Sequence, residues 1–262
     1  MATLPLQNQI TTLIASQGLP TLHPSFLNSI LTGLSSTRQQ PITAIVATVK
    51  HRLLCSDINI KNNNNNNNNI LSPISSCLPT RIINNKQIEA STLNQDIFVQ
   101  VLDVEDLGRS KWDQLELLEA EKRGETMKGR EIIRTVVPAS SFEEEQEDVS
   151  TTTNGTDSNQ SQNQNKTAEK QGKGPFKLIV EDWKGTKTWA LELRKVEKID
   201  MPPAMNIGCK LWLRKGCKVA RGVLLMEPTT VSIMGGKIDN RDKVWKTERE
   251  KILREALSEE SS

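Results

Sequence analysis

Two histidines and four cysteines are all this chain offers as ordinary general bases, soft nucleophiles or zinc ligands, and their spacing argues against chemistry. His23 stands before Pro24, where it reads as a helix-entry residue, and His51 falls half-exposed within a helical run. Cys55, Cys77, Cys209 and Cys217 form no CxxC pair, and two histidines do not complete a zinc set with them. Free, mostly buried thiols in a reducing compartment are expected, and no metal. There is no GxSxG, P-loop or dinucleotide fingerprint, and the pair Gly235 and Gly236 lacks a phosphate-binding context. The acidic pairs Asp103 with Glu105 and Glu181 with Asp182 fall at strand ends and read as solvated charges. These residues predict neither an enzyme nor a cofactor.

Other groups of residues fit binding. Lys210, Arg214, Lys215, Lys218 and Arg221 follow one another with no acid between them, and Trp212 lies inside the run, a pattern suited to a partner-binding or DNA-binding patch. Against tight strand binding, the chain has no tyrosine and only 3% aromatic residues, so a platform of several stacking rings is missing. Nor does a formal charge of +2, from 34 basic and 32 acidic residues, provide a whole-chain field for nucleic acid. Lys187, Arg194, Lys195 and Lys198 form a second basic group, read either as a solvated sheet face or as a partner-facing patch. A further group is apolar: Leu107, Trp112, Leu115, Leu118, Ile132, Ile133 and Val136, set in otherwise polar sequence.

The elements that must position these residues are legible from periodicity. From Pro5 to Ile58 apolar residues recur at helical spacing: Ile10, Leu13 and Ile14; Phe26, Leu27, Ile30 and Leu31; Ile42, Ile45, Val46, Val49, Leu53 and Leu54. Three short helices fit, divided at Gly18 with Pro20 and at Gly33, with Pro41 in the first turn of the third. Residues 1–60 are therefore expected to form a helical unit docked on a second body, and 61–80, with the run Asn62 to Asn69, a disordered linker. Asp96 to Val104 predicts a strand with Ile97, Val99 and Val101 on one face and Phe98, Leu102 and Val104 on the other. Its partners would be Phe176 to Asp182 and Thr188 to Val196, joined by a tight turn at Lys184 and Gly185, then Lys210 to Arg214. A closing hairpin from Val219 to Met234 would turn at Glu227 and Pro228, since proline cannot donate to a sheet ladder. About five strands in this order match an oligonucleotide/oligosaccharide-binding (OB) barrel, here spanning residues 81–104 and 175–238. Residues 239–262 predict a final helix and tail, with Asp239 as N-cap and Trp245, Ile252, Leu253 and Ala256 on one side. The fold class expected is mainly β with α. No apolar run reaches the roughly 18 residues of a membrane span, so a soluble, intracellular protein is expected.

Residues 105–174 stand where such a barrel has a short loop between its first two strands, and loops this long are usually functional or disordered. The first half carries the apolar group named above. The second, from Ser140 to Gly174, is acidic at Glu143 to Asp148 and then rich in Thr, Asn, Gln and Ser, a composition of disorder. The apolar half either reaches a partner's cleft or folds back on its own barrel.

Several segments resemble the RecQ-mediated genome instability protein 1 family: HPSFLNSIL and HRLLCSDI in the helical unit, LPTRII before the first strand, GRSKWDQLELLE and GREIIRTVVP in the insertion, and GVLLMEPTTVSIMGGKID at the close. The resemblance implies an OB-fold subunit, without enzymatic activity, of a nuclear complex between a RecQ-family helicase and topoisomerase III, a type IA enzyme. That complex serves DNA repair, replication and homologous recombination by dissolving double Holliday junctions. It further implies that the barrel binds the topoisomerase while the insertion acts at the enzyme's gate, favouring decatenation. A small second OB-fold subunit and weak or indirect DNA contact are compatible with it. No second OB domain follows in the sequence, so contacts made by such an extension in longer relatives are not expected. The alternative from the residues alone is an OB-fold protein that binds single-stranded nucleic acid.

Overall fold

The computed structural model describes residues 3–35, 40–60, 69–123 and 172–260. Three helices come first, α1 (Thr3–Ser16), α2 (Pro24–Ser35) and α3 (Ile42–Cys55). Gly18, at φ 68°, ends α1 in the left-handed conformation that costs glycine least, and Leu19 N–H closes back on the Ile14 carbonyl at 3.2 Å. His23 enters α2 as expected, its ring nitrogen accepting from Ser25 N–H at 3.2 Å. Ile10, Ile14, Leu27, Ile30, Ile45, Val46, Val49 and Leu53 meet in one buried cluster. Three short helices expose too much apolar surface to stand alone. The deficit is made up from elsewhere: Phe98 and Trp183 of the sheet enter the same cluster, with Ile70 and Leu71 from the stretch expected to be linker. That stretch is stitched to the turn between α1 and α2 by His23 N–H to Ile70 O and Ser72 N–H to Thr21 O, both 2.9 Å.

The short helix α4 (Thr80–Ile83) leads into one eight-stranded sheet. Its strands are β1 (Ser91–Thr92), β2 (Ile97–Asp106), β3 (Phe176–Asp182), β4 (Lys187–Glu192), β5 (Lys210–Leu213), β6 (Lys218–Ala220), β7 (Val223–Met226) and β8 (Val231–Gly235), in the order β1-β6-β7-β4-β3-β2-β5-β8. Consecutive β5 and β6 are separated only by residues 214–217 yet lie toward opposite ends of that order, so the sheet must curl round on itself. Leu93, Val99, Val101, Leu178, Val180, Ala190, Leu211, Leu213, Val219, Leu224 and Met226 fill its concave side.

The closing strands differ from the expected hairpin. β7 and β8 do not pair with each other; β7 pairs with β6 and β4, and β8 with β5. The chain reverses earlier, at Arg221 and Gly222, both at positive φ, the two-residue turn whose twist matches that of its strands. Glu227 to Thr230 is a bend between two successive segments of one strand, held by Thr230 N–H to Glu227 O at 3.0 Å. An arginine at the first turn position hides the usual Asn-Gly signal, whereas Pro228 mimics one. The expected turn between β3 and β4 holds, with Asp182 accepting from the N–H groups of Lys184 and Thr186.

A register shift between Val101 and Asp103 alters the expected faces of β2, and Val104 joins the inner core with Ile97, Val99 and Val101. The last helix, α6 (Asp239–Glu260), begins with Asp239 in its first turn; Ile238 holds the cap position, its carbonyl accepting from Asp242 N–H. Ile252 is exposed on α6 while Leu253 is buried, because the packed stripe centres on Asp242, Arg249 and Leu253 and leaves Ile252 at its edge.

Candidate partner interface

The long insertion leaves the sheet at the end of β2 and returns at the start of β3. Both ends are gripped by one buried carboxylate: Asp106 Oδ1 accepts from the N–H groups of Gly108 and Gly174, and Oδ2 from that of Lys173, all at 2.9 Å. Leu107 N–H donates to Pro175 O at 3.0 Å, and a Cβ on Gly108 would overlap the Gly174 carbonyl, so the two chain ends touch. A charged acceptor of three amides is among the stronger arrangements available to a backbone. The insertion therefore starts and finishes at a fixed point.

Its first element is helix α5 (Lys111–Lys122), capped by Ser110, whose hydroxyl accepts from Asp113 N–H at 3.0 Å. Asp113 in the first turn also complements the positive helix end. Helix α5 lies on α6 through a polar and apolar seam. Gln114 is buried, donating to the Asp106 and Arg109 carbonyls and accepting from Arg249 Nη2 at 2.8 Å. Arg249, also buried, stacks over Trp245 and lies 3.9 Å from Asp103, while Trp245 Nε1 donates to that same carboxylate at 2.6 Å. Burial pushes the Arg249 guanidinium down, and the charges of Asp103 and Glu105 oppose that shift. Outside the seam, Arg254 bridges Glu119 and Glu250, and Lys122 reaches Glu250, exposed contacts worth little individually.

This arrangement divides the apolar group. Leu115 is buried within the fold and is withdrawn from the expected contact surface. Leu118 is half-buried, whereas Leu107 and Trp112 are exposed, Trp112 with 64% of its surface accessible. Ile132, Ile133 and Val136 lie outside the described residues, as do Asn62 to Asn68 and the tract from Ser140 to residue 171.

The basic run is divided too. Lys210 is fully buried, its Nζ donating to the Gly208 carbonyl at 2.7 Å, so it forms no part of a surface patch. Trp212 is half-buried against the helical unit, its Nε1 bonded to Gly18 O and its ring set edge-on to Phe98 at 5.1 Å. Arg214 pairs with Asp96 at 2.9 Å and Lys218 with Glu227 at 3.1 Å. Lys215 N–H bonds Asp96 at 2.7 Å, and this bond with the Arg214 contacts holds the Asp96 carboxyl below its ordinary value although burial opposes them. Lys215 and Arg221 remain exposed, but pairing and burial have broken the run into separate charges.

Beneath these features lies a network that neither periodicity nor motif announces. Gln100 accepts from Ile58 N–H and donates to Asp57 at 2.6 Å and Glu181 at 3.0 Å. Asn59 donates to Glu181 at 2.7 Å, and Arg241 of α6 meets Asp57 at 2.6 Å and Glu181 at 3.4 Å. Glu181 and Asp182 are thus buried and engaged, not solvated strand-end charges. Asp182 Oδ2 takes the Leu78 N–H at 2.8 Å. The network pins the exit of α3 and the start of α6 to the same place on β2 and β3. Gly236 completes the join, at φ 100°, since a Cβ there would overlap the Leu54 carbonyl of α3.

The curled sheet, the helices on its flank and the insertion between its first long strands define an OB-fold protein with an amino-terminal helical unit. Residues 78–249 match the family described as RMI1, N-terminal OB-fold domain, and residues 14–60 match RMI1, N-terminal helical domain. The chain belongs to the RMI1 family. Over 151 residues it is 32% identical to RecQ-mediated genome instability protein 1 of Schizosaccharomyces pombe, an alignment covering 58% of this chain. The match spans 60% of the length of that relative.

Proposed function

We propose that this chain is a nuclear adaptor subunit that binds topoisomerase III and a RecQ-family helicase and promotes double Holliday junction dissolution by presenting its insertion at the topoisomerase gate. Family membership supports the setting, and the name of the fission yeast relative ties that protein to RecQ and genome stability. The observation that carries the reading is the Asp106 clamp with α5 docked on α6: a long insertion is launched from a fixed point, with Trp112 exposed on its first helix. A segment held this way is pre-oriented, which lowers the ordering cost of entering a partner. Were it to fit the open gate better than the closed one by about 1.4 kcal/mol, the gate equilibrium would shift tenfold. No covalent chemistry is required of this chain.

The competing reading, direct binding of single-stranded nucleic acid by the basic run, loses support because Lys210 is buried and Arg214 and Lys218 are paired with acids. The two readings separate in one experiment. Residues 124–171 are replaced by a short Gly/Ser linker, which keeps α5 and the clamp, and the variant is compared with the full chain for co-purification with the organism's topoisomerase III and for stimulation of decatenation. Retained binding with lost stimulation is expected. No binding by either protein, with tight binding of single-stranded DNA by both, would overturn the adaptor reading.

A further inference from the structure

The convex side of β3, β4 and β7 carries an apolar strip in which Ile179, Leu191 and Leu225 are half-buried and Trp189 and Leu193 exposed. Ile179 stands opposite Trp189 in the β3–β4 ladder, Leu191 pairs in register with Leu225 of β7, and these side chains alternate with the buried Leu178, Ala190 and Leu224 of the core. Trp189 is 41% exposed, and Leu193, next in the same alternation, is 50% exposed. At the end of the strip, beside Leu193 and Lys195, opens a cleft of about 770 Å³ floored by Phe176, Val196 and Ile199. A row of aliphatic and aromatic side chains on a sheet face is costly to leave in water.

Charge says what would cover it. Lys177 and Lys187 share the strip's face of β3 and β4, and the exposed Arg194 and Lys195 follow Leu193 directly in the chain. Most acids near it are engaged: Glu105 by Lys177 at 3.2 Å, Glu227 by Lys218, Glu181 by the buried network with Lys187 at 4.0 Å, and Glu192 and Asp200 by backbone N–H groups. Glu197 is exposed beside the cleft, where Arg194, Lys195 and Lys198 outnumber it. The face therefore presents a positive rim around an apolar centre. Nucleic acid fits it poorly, because Ile179, Leu191 and Leu225 offer no stacking surface and Lys177 already sits 4.0 Å over the one indole ring. We propose that this face docks an acidic segment of a partner protein whose apolar side chains lie along Ile179, Trp189, Leu191 and Leu225 and whose carboxylates meet Arg194, Lys195 and Lys187. The strip is built on β3, β4 and β7 and not on α5, and the proposal does not rest on the topoisomerase reading.

Fluorescence anisotropy of the full chain against labelled peptides tests it, using about 15 residues with Leu and Phe at alternate positions and graded glutamate content from none to about six, beside an oligothymidine of similar length. Affinity is expected to rise roughly tenfold or more from the uncharged to the most acidic peptide and to fall with added salt. The double variant Trp189→Glu with Leu193→Glu should lose that binding. So should Arg194→Glu with Lys195→Glu, which leaves the apolar strip intact and keeps the test valid should the first variant fold poorly. Absence of binding by every peptide, affinity indifferent to glutamate content, or oligothymidine binding lost in the same variants would overturn the proposal. Peptide binding that emerges only after removal of residues 124–171 would assign the face to the chain's own insertion and would also overturn it.

Discussion

Asp106 holds both ends of the insertion, accepting from amides on either side of it. Asp106→Ala would leave the amides of Gly108, Lys173 and Gly174 without their acceptor, and unfolding in urea should show a loss of about 2–3 kcal/mol. Amide exchange at those three positions should rise in step. Trp112→Ala behaves oppositely: the ring is exposed, so stability should change by no more than about 0.5 kcal/mol while stimulation of decatenation falls. A fall in stability of several times that size would place the ring in the core and remove it from the interface. Lys210 gives the chain a pH signature. Burial pushes its amine down to about 8, Asp57 opposing, so the folded chain releases a proton near there that the unfolded chain keeps to the ordinary 10.5. Between those values the unfolded state binds more protons, and this lysine makes stability rise with pH. Cys209, pushed up by burial to about 11, works the other way from its ordinary 9.0 upward. Comparing melting temperatures of the natural chain and Lys210→Met from pH 7 to 10 isolates the lysine: the variant should lose the upward trend, a difference of about 3 kcal/mol at most.

At the scale of elements, the contact that decides geometry is α5 on α6. Arg249→Ala would leave the buried Gln114 Oε1 without its donor and remove a charge beside the half-exposed Asp103 carboxylate, a cost of about 2 kcal/mol. The basic residues of α5 should then become sensitive to limited trypsin digestion before the sheet unfolds. Arg254→Ala, which removes only exposed pairs, should leave that digestion pattern unchanged. No helix was expected at α5, although Ser110 as a cap and Asp113 in the first turn are signals that could have found it. That α5 lies on α6 was not visible, because the seam is made by Gln114 and Arg249, residue types that ordinarily face water.

For the whole molecule, the network of Asp57, Asn59, Gln100, Glu181 and Arg241 couples the helical unit, the sheet and α6. Calorimetry should show one cooperative transition for the natural chain. Asp57→Ala deprives Arg241 and Gln100 of a common acceptor, and the helical unit should then melt ahead of the sheet, splitting the transition. A single transition merely shifted downward would show that the shared apolar cluster, with Phe98 and Trp183 inserted among the helices, holds the bodies together without the network.

Periodicity alone determined the three helices, the long strand beginning at Ile97, the turn at Gly185 and the place of the insertion, because each of these follows from which neighbouring side chains are apolar and which residues tolerate positive φ. Residue type also marked Trp112 as worth watching. Tertiary structure decided the rest: that the chain reverses at Arg221 and Gly222 and not at Pro228, that Lys210 is buried while Trp112 is exposed, and that Asp106 joins residues on either side of the insertion. The reason is physical. A charged or amide side chain reads as solvent-facing until a partner distant in sequence is brought within hydrogen-bonding reach, and only the folded arrangement of β2, β3, α5 and α6 brings those partners together.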